Sequence, residues 1–293
     1  MDVLTESSSF AGVQETLTGL LDRQVFFVVG CQKSGTTWLQ KLLDGHPTIR
    51  CDGEARLGTL LLPMLNQLVQ QYNAQQKTGL HGQFDGEDLK HLFRTAAGLL
   101  YRRWVGDNPS VEAIGEKTPE HALCLPALDQ AFPGMKVVHI LRDPRDVVVS
   151  GWFHNLRKAG PQFQQKFPTL EPYIDYTLGH HWLSYISQAR KFGAQHADRY
   201  LEVRYESLHS DPDATIRTVL AFLGVDDDEA SVRACRDAGS FEQLSGGRER
   251  GAEDRGSFFR KGVVGDWRNH LAAGQLQRIT AAAGPVMAEL GYV

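Results

Sequence analysis

Val25-Phe26-Phe27-Val28-Val29 runs straight into Gly30-Cys31-Gln32-Lys33-Ser34-Gly35-Thr36-Thr37-Trp38, and Leu39-Gln40-Lys41-Leu42-Leu43 follows. Five consecutive β-branched or aromatic residues predict a strand over 25–30, buried on both faces. The glycine-bracketed, hydroxyl-rich stretch after it predicts a tight turn, and the leucine spacing beyond predicts a helix over 36–45. A turn between a strand and a helix start offers an anion several backbone N–H groups and the positive end of the helix dipole. Lys33 adds a full charge and three donors. The segment reads as a site for a nucleotide phosphate.

Against the nucleoside-triphosphatase loop GxxxxGK[ST], both glycines are in register, but Lys33 precedes the second glycine and Thr36 takes the usual lysine's place. No apolar strand ends in an Asp assignable to magnesium, so the anion need not be a metal-bound triphosphate. A second buried-strand run, Val137-Val138-His139-Ile140-Leu141, delivers Arg142-Asp143-Pro144-Arg145-Asp146-Val147-Val148-Val149-Ser150 at its carboxyl end. Open α/β sheets bind ligands along that edge. A third basic and glycine-rich element is Arg260-Lys261-Gly262-Val263-Val264-Gly265-Asp266-Trp267.

These three elements, in this order, resemble the sulfotransferases that use 3′-phosphoadenosine-5′-phosphosulfate (PAPS). That family's motifs look like QKSGTTW, then R-D-P-R-D-x-x-x-S, then RKGxxGxW, and the resemblance runs through most of the chain. It implies a P-loop nucleoside-triphosphatase-like, three-layer α/β sandwich with a central parallel sheet. It also implies transfer of a sulfuryl group from PAPS to a hydroxyl, or secondarily an amine, by in-line displacement with a general base. The expected product is adenosine 3′,5′-bisphosphate (PAP), and no metal is required.

Composition agrees. The chain has 293 residues, 42% of them hydrophobic, which suits one large α/β domain over 1–293. Residues 1–22 read as an N-terminal extension, and no linker or repeat divides the rest. The Gln-rich patch from Gln67 to Gln76 reads as a solvated helix face. A net charge of −4 gives no support for nucleic-acid binding. Cys31, Cys51, Cys124 and Cys235 show no CxxC spacing and read as reduced thiols. Asp2 and Glu6 stand where a secretory signal carries positive charge, and no apolar run reaches the roughly 20 residues of a membrane span. The expected location is the cytoplasm, and a homodimer is left open.

Further elements are expected as helices over 59–76, 86–104, 122–132, 144–158, 172–193, 213–223 and 274–290. Strands are expected near Ala113-Ile114, at 136–141 and at 200–205. Strands alternating with helices predict a parallel sheet covered on both faces. The polar segment 246–262 reads either as a flap over the nucleotide or as an ordinary flexible loop.

By the resemblance, Lys33 lies beside the bridging oxygen as electrophile, and the N–H groups of Ser34, Gly35, Thr36 and Thr37 bind the 5′-phosphate. Arg142, Ser150, Arg260, Lys261 and the Gly262 backbone take the 3′-phosphate, for which a guanidinium fork suits. Trp38, Tyr205 and Phe241 match adenine-contacting aromatics, with a place in the core as the lesser alternative for Phe241. Arg145 is expected to pair with an acidic neighbour, Asp143 and Asp146 to cap or charge a helix turn, and Trp267 to be structural.

The base is less direct. Steroid and phenol sulfotransferases carry Lys, Thr and His in succession, whereas here the run is Lys117-Thr118-Pro119-Glu120-His121. Cys51-Asp52-Gly53-Glu54-Ala55-Arg56 instead resembles the C-G-E-x-x-R stretch of tyrosylprotein sulfotransferases, which makes Glu54 the first candidate base and His121 the second. Lys117 is expected to contact the transferring sulfuryl oxygens, or otherwise to pair with Glu116 or Glu120. The acceptor is expected to be a small apolar or aromatic alcohol held by residues of Leu57 to Trp104 and Trp152 to Trp182. Arg56, Arg102, Arg103 and Arg157 leave an anionic acceptor open. Two other functions compete: a magnesium-dependent P-loop kinase, and a PAPS-sensing module without transfer.

Overall fold

The computed structural model describes residues 9–76, 82–106 and 108–293. Five strands form one sheet: β1 (Gln24–Val29), β2 (Ile49–Asp52), β3 (Ala113–Lys117), β4 (Lys136–Leu141) and β5 (Tyr200–Arg204), in spatial order β2-β3-β1-β4-β5. Every pairing is parallel. All five carboxyl ends therefore meet one edge, and strand order reverses at β1, where a parallel sheet opens a crevice.

The helices, in chain order, are α1 (Phe10–Leu21), α2 (Thr36–Asp44), α3 (Leu62–Gln75), α4 (Gly86–Val105), α5 (Leu125–Ala131), α6 (Pro144–Lys166), α7 (Leu170–Tyr176), α8 (Leu183–Gln195), α9 (Tyr205–Ser210), α10 (Pro212–Leu223), α11 (Glu229–Ala238), α12 (Phe241–Ser245) and α13 (Ala273–Glu289). Wide turns over Leu57–Leu61 and Thr177–Trp182 lead into α3 and α8. Strand side chains alternate between faces, so β1 splits its aromatics. Phe27 and Val29 pack with Phe93, Tyr101, Leu125 and Phe192 on one side, while Phe26 and Val28 pack with Leu39, Leu43, Leu220 and Val232 on the other. A third cluster, centred on Trp182 and Met287, joins α6, α7 and α13. The expected three-layer α/β sandwich is thereby formed.

Several boundaries differ from expectation. β2 and α1 were not expected as elements, and α11 and α12 also lie where none was assigned. The stretch 122–132 divides at Cys124 into a tight turn over Pro119–Leu123 and α5, because Pro126 sets a new helix start. α6 runs on to Lys166 across a kink at Gly160 (φ 25°), just ahead of Pro161. The Gln-rich patch lies on α3 and is mostly exposed. Among the described residues no helix is long and apolar enough to cross a membrane.

Candidate active site

The turn after β1 is tightly specified. Gly35 has φ +100°, and a Cβ there would stand 2.6 Å from the Tyr205 ring. Lys33 holds φ +72°, a left-handed conformation that a non-glycine residue keeps only when its surroundings dictate it. Part of that constraint is Arg142, whose Nη1 donates to the Lys33 carbonyl at 3.0 Å. Among the described residues the buried Ser34 Oγ has no partner, and no side chain caps the N-terminus of α2.

Arg142 is 8% exposed. Its Nη2 donates to the Val263 carbonyl at 3.3 Å, its guanidinium lies 4.0 Å above the Tyr205 ring, and its buried Nε has no partner among the described residues. Asp143 caps α6 through the Arg145 N–H at 2.9 Å and takes the Arg145 side chain in a two-pronged pair. Arg145 is thus committed to its acidic neighbour, and it covers the Trp267 ring at 4.1 Å. Asp146 accepts the N–H groups of Gly265 (2.7 Å) and Trp267 (3.0 Å), which ties the third motif to the second.

Two clefts open on this edge. The first collects Lys33, Gly35 to Trp38, Arg142, Ser150, Tyr205, Phe241 and Arg260 to Gly262, so the cofactor residues expected from sequence converge except Ser34, which is buried outside the lining and whose N–H, expected on the 5′-phosphate, donates to the Cys31 carbonyl at 3.0 Å. Trp38 meets Tyr205 edge-on at 5.2 Å and donates Nε1–H to the Gly239 carbonyl at 2.8 Å. Gly262 (φ +66°) packs beneath Phe241, whose ring lies 2.4 Å from where a Cβ would be. Arg260 bonds Glu253 at 2.5 Å and also Asp266, and Lys261 bonds Asp266 at 2.7 Å. Burial alone would raise the Asp266 pKa, but donors from Lys261, Asn269 and Arg260 outweigh it and hold the carboxyl well below the usual range. The segment before Arg260 closes on itself, Gly251 N–H donating to the Lys261 carbonyl at 3.0 Å and Asp254 N–H to that of Arg260 at 2.9 Å.

The second cleft holds Glu54, Arg56 and Glu120 on one side and Asn155, Lys158, Tyr173, Tyr176 and His181 on the other. Of the two segments expected to line an acceptor pocket, 152–182 does so. The described residues of 57–104 do not: Leu57, Phe93 and Tyr101 are spent as core under the sheet, and the loop just ahead of them supplies the wall instead.

Lys33, Thr36, Thr37, His154, Arg157 and Phe258 line both clefts and so mark the passage between them. Burial, then Arg142, Arg157 and Lys117, lower the Lys33 pKa to about 8 against the pull of Glu54. Its Nζ sits 4.4 Å over the Phe258 ring. His154 and Phe258 were missed in sequence. The signal for His154 was helical spacing, since Ser150, Phe153, His154 and Arg157 repeat at i, i+3, i+4 and i+7 along α6. Burial first, then Lys33, Arg157 and Lys158, lowers the His154 pKa to about 4, so the imidazole is neutral. Its Nδ1 accepts from Arg157 Nη2 at 3.3 Å, which assigns the proton to Nε2.

Two expectations are corrected. His121 is fully buried, lines neither cleft, and accepts the Gly58 N–H on Nε2 at 3.0 Å, so it has no route to an acceptor hydroxyl. Burial lowers its pKa to about 3. Lys117 also lines neither cleft; its Nζ pairs with Glu54 Oε1 at 2.7 Å, a partner different from Glu116 or Glu120. It reaches the site through Glu54, whose carboxylate is half-exposed in the second cleft.

A sulfotransferase family model matches residues 25–229. Cytosolic sulfotransferase 17 of Arabidopsis thaliana is 30% identical over 177 residues, 50% of this chain and 47% of that protein, so the chain spans about half the length of this relative. Protein-tyrosine sulfotransferase 1 of Danio rerio is 25% identical over 272 residues, covering 92% of this chain and 73% of that protein. Among solved structures, mouse sulfotransferase SULT7A1 complexed with PAP shares the fold at TM-score 0.58 and 20% identity, over 94% of this chain and 89% of that one.

Proposed function

The chain belongs to the sulfotransferase family, and from that premise we propose that it transfers a sulfuryl group from PAPS to the hydroxyl of a small acceptor. The observation that carries this reading is the pair of clefts joined at Lys33 and His154. One is built for a polyanion bearing an aromatic base, the other for a separate molecule carrying a nucleophile. The unpartnered Ser34 Oγ and Arg142 Nε, both buried, fit a doubly phosphorylated nucleotide, because a buried donor without an acceptor costs about 1–3 kcal/mol unless a ligand supplies one.

PAPS, when bound, supplies an activated sulfuryl group on a phosphate leaving group. Arg142, Ser150, Arg260 and Lys261 hold the 3′-phosphate end; Trp38, Tyr205 and Phe241 hold the base; the α2 N-terminus holds the 5′-phosphate. Lys33 neutralises charge on the oxygen left behind as the S–O bond to the leaving phosphate breaks, and preorganised charge of this kind is a large catalytic contribution. Glu54, with Oε1 on Lys117, takes the acceptor's proton on its other oxygen as the new S–O bond forms. His154 presents a neutral Nε2–H donor at the passage. Loop 246–262 covers the cofactor, and the cytoplasm is the expected setting.

For the acceptor, the second cleft supports an aromatic hydroxyl compound with an anionic group over an apolar alcohol. Tyr173, Tyr176 and His181 offer rings, and among the described residues the buried His181 Nδ1 lacks a partner and Arg56, Arg157 and Lys158 have no carboxylate partner. Calorimetry of PAP against 5′-AMP and magnesium-ATP tests the core reading. PAP should bind far the tightest, and a preference for magnesium-ATP would replace sulfuryl transfer with a kinase.

A further inference from the structure

We propose that Glu116 and His121 are positioning residues for Glu54, gripping the loop 53–58 from beneath so that its carboxylate faces the acceptor cleft. The proposal rests on the sulfuryl-transfer reading for Glu54's role, but the grip itself is a feature of the chain. Neither residue lines a cleft, and both are 0% exposed. A carboxylate and an imidazole buried in an apolar layer are costly unless their bonds repay it.

Their bonds converge on one loop. Glu116 Oε1 accepts the Arg56 N–H at 2.6 Å, and His121 Nε2 accepts the Gly58 N–H at 3.0 Å. Two backbone donors, two residues apart, are held just downstream of Glu54. Between them the chain takes an uncommon turn, for Arg56 sits at φ +55°, a conformation that a non-glycine residue keeps only where neighbours over-determine it. Because Gly58 donates to Nε2, the His121 proton is on Nδ1, which faces Glu116 Oε2 at 3.4 Å. Thr118 Oγ1–H also donates to Glu116 Oε1, at 2.6 Å. The neighbouring Lys117 meets the loop from its other end through Glu54 at 2.7 Å. Residues 116, 117 and 121 therefore fix the loop at Glu54, Arg56 and Gly58. The β2–β3 register, Asp52 opposite Glu116, brings these segments together.

The test uses H121F, H121Q and E116M in the full chain. E116M removes the acceptor while keeping a side chain of similar length at position 116, so it reports even where H121F folds poorly. Amide hydrogen exchange is read first: Gly58 in H121F and Arg56 in E116M should exchange at least about tenfold faster, with the amides of 34–37 unchanged. In H121Q the Gln Oε1 can accept from Gly58 and should restore protection. PAP affinity should stay within about twofold, while turnover of a phenol drops on the order of 100-fold, the loss expected for a base displaced by about 1 Å. In an E54A background the same substitutions should cost nothing further. Unchanged exchange at residues 56 and 58, or a rate loss that persists undiminished without Glu54, overturns the proposal. Failure of the unsubstituted chain to bind PAP would instead overturn the sulfuryl-transfer reading, and the exchange data alone would then decide whether the grip exists.

Discussion

Replacing Arg142 separates two roles that its side chain combines. The guanidinium has five N–H donors, of which one goes to the Lys33 carbonyl and one to the Val263 carbonyl. Nη2 also lies 3.7 Å from Asp146 Oδ2, so the unpartnered Nε and the second Nη1 N–H are the donors left for a 3′-phosphate. Arg142→Ala should weaken any nucleotide somewhat, because the turn at Lys33 loses its tether. It should weaken a bisphosphate more. A charge-assisted contact is worth about 1.5–3 kcal/mol, so the upper value for a forked pair corresponds to roughly a 150-fold loss. Calorimetric titration of PAP and 5′-AMP into wild type, Arg142→Ala and Arg142→Lys gives the ratio of the two affinities. In the alanine variant that ratio should fall by about two orders of magnitude, and lysine, which keeps charge but not the fork, should fall between. If both ligands weaken equally, Arg142 acts only as a tether for the turn and the 3′-phosphate assignment is wrong.

PAP affinity should decline as pH rises through about 8, where Lys33 loses the charge that attracts phosphate; Lys33→Arg should flatten the profile, and an unchanged slope in that variant would place the titrating group elsewhere. Gly262→Ala forces a Cβ to within 2.4 Å of the Phe241 ring at φ +66°. With overpacking costing about 1–3 kcal/mol, PAP affinity should fall roughly 5- to 150-fold, and wild-type affinity would show that Phe241 is not a base contact. Lys158 lines only the acceptor-side cleft, so Lys158→Ala should raise KM for a carboxyl-bearing phenol by roughly two- to fivefold and leave a neutral phenol unchanged, as judged by steady-state kinetics. Equal effects on both phenols would remove the anionic acceptor from the proposal.

What could be read in the sequence was whatever short-range pattern carries. The β1 run, the turn and α2 are contiguous, so hydrophobicity and glycine placement suffice. Ser150 was assigned through the resemblance; it lies two turns into α6 on the face that also bears His154 and Arg157, so helical spacing could have extended the assignment to His154, which went unread. Phe258 carried no comparable signal, because its place over Lys33 depends on how a polar, glycine-rich segment folds back across the sheet edge.

The base assignment shows where local reading stops. β2 is four residues long, with Arg50 exposed and Asp52 at its end, too short and too polar for an apolar-run signal. Without β2, nothing in the chain says that residues 53–58 lie beside residues 116–121. With it, the conclusion follows from topology: β2 pairs with β3 in parallel, so the loops leaving both carboxyl ends must be neighbours. Glu54 then faces Lys117 across a sequence gap of 63 residues, and His121 comes to lie under the loop instead of in the cleft. Glu54 and His121, the alternatives for one role in sequence, are in the fold successive layers of one structure: a carboxylate at the cleft and an imidazole beneath the loop that carries it. On the proposed role of Glu54, a contribution of His121 to turnover runs through the geometry of that carboxylate, and a measurement in the absence of Glu54 tests it.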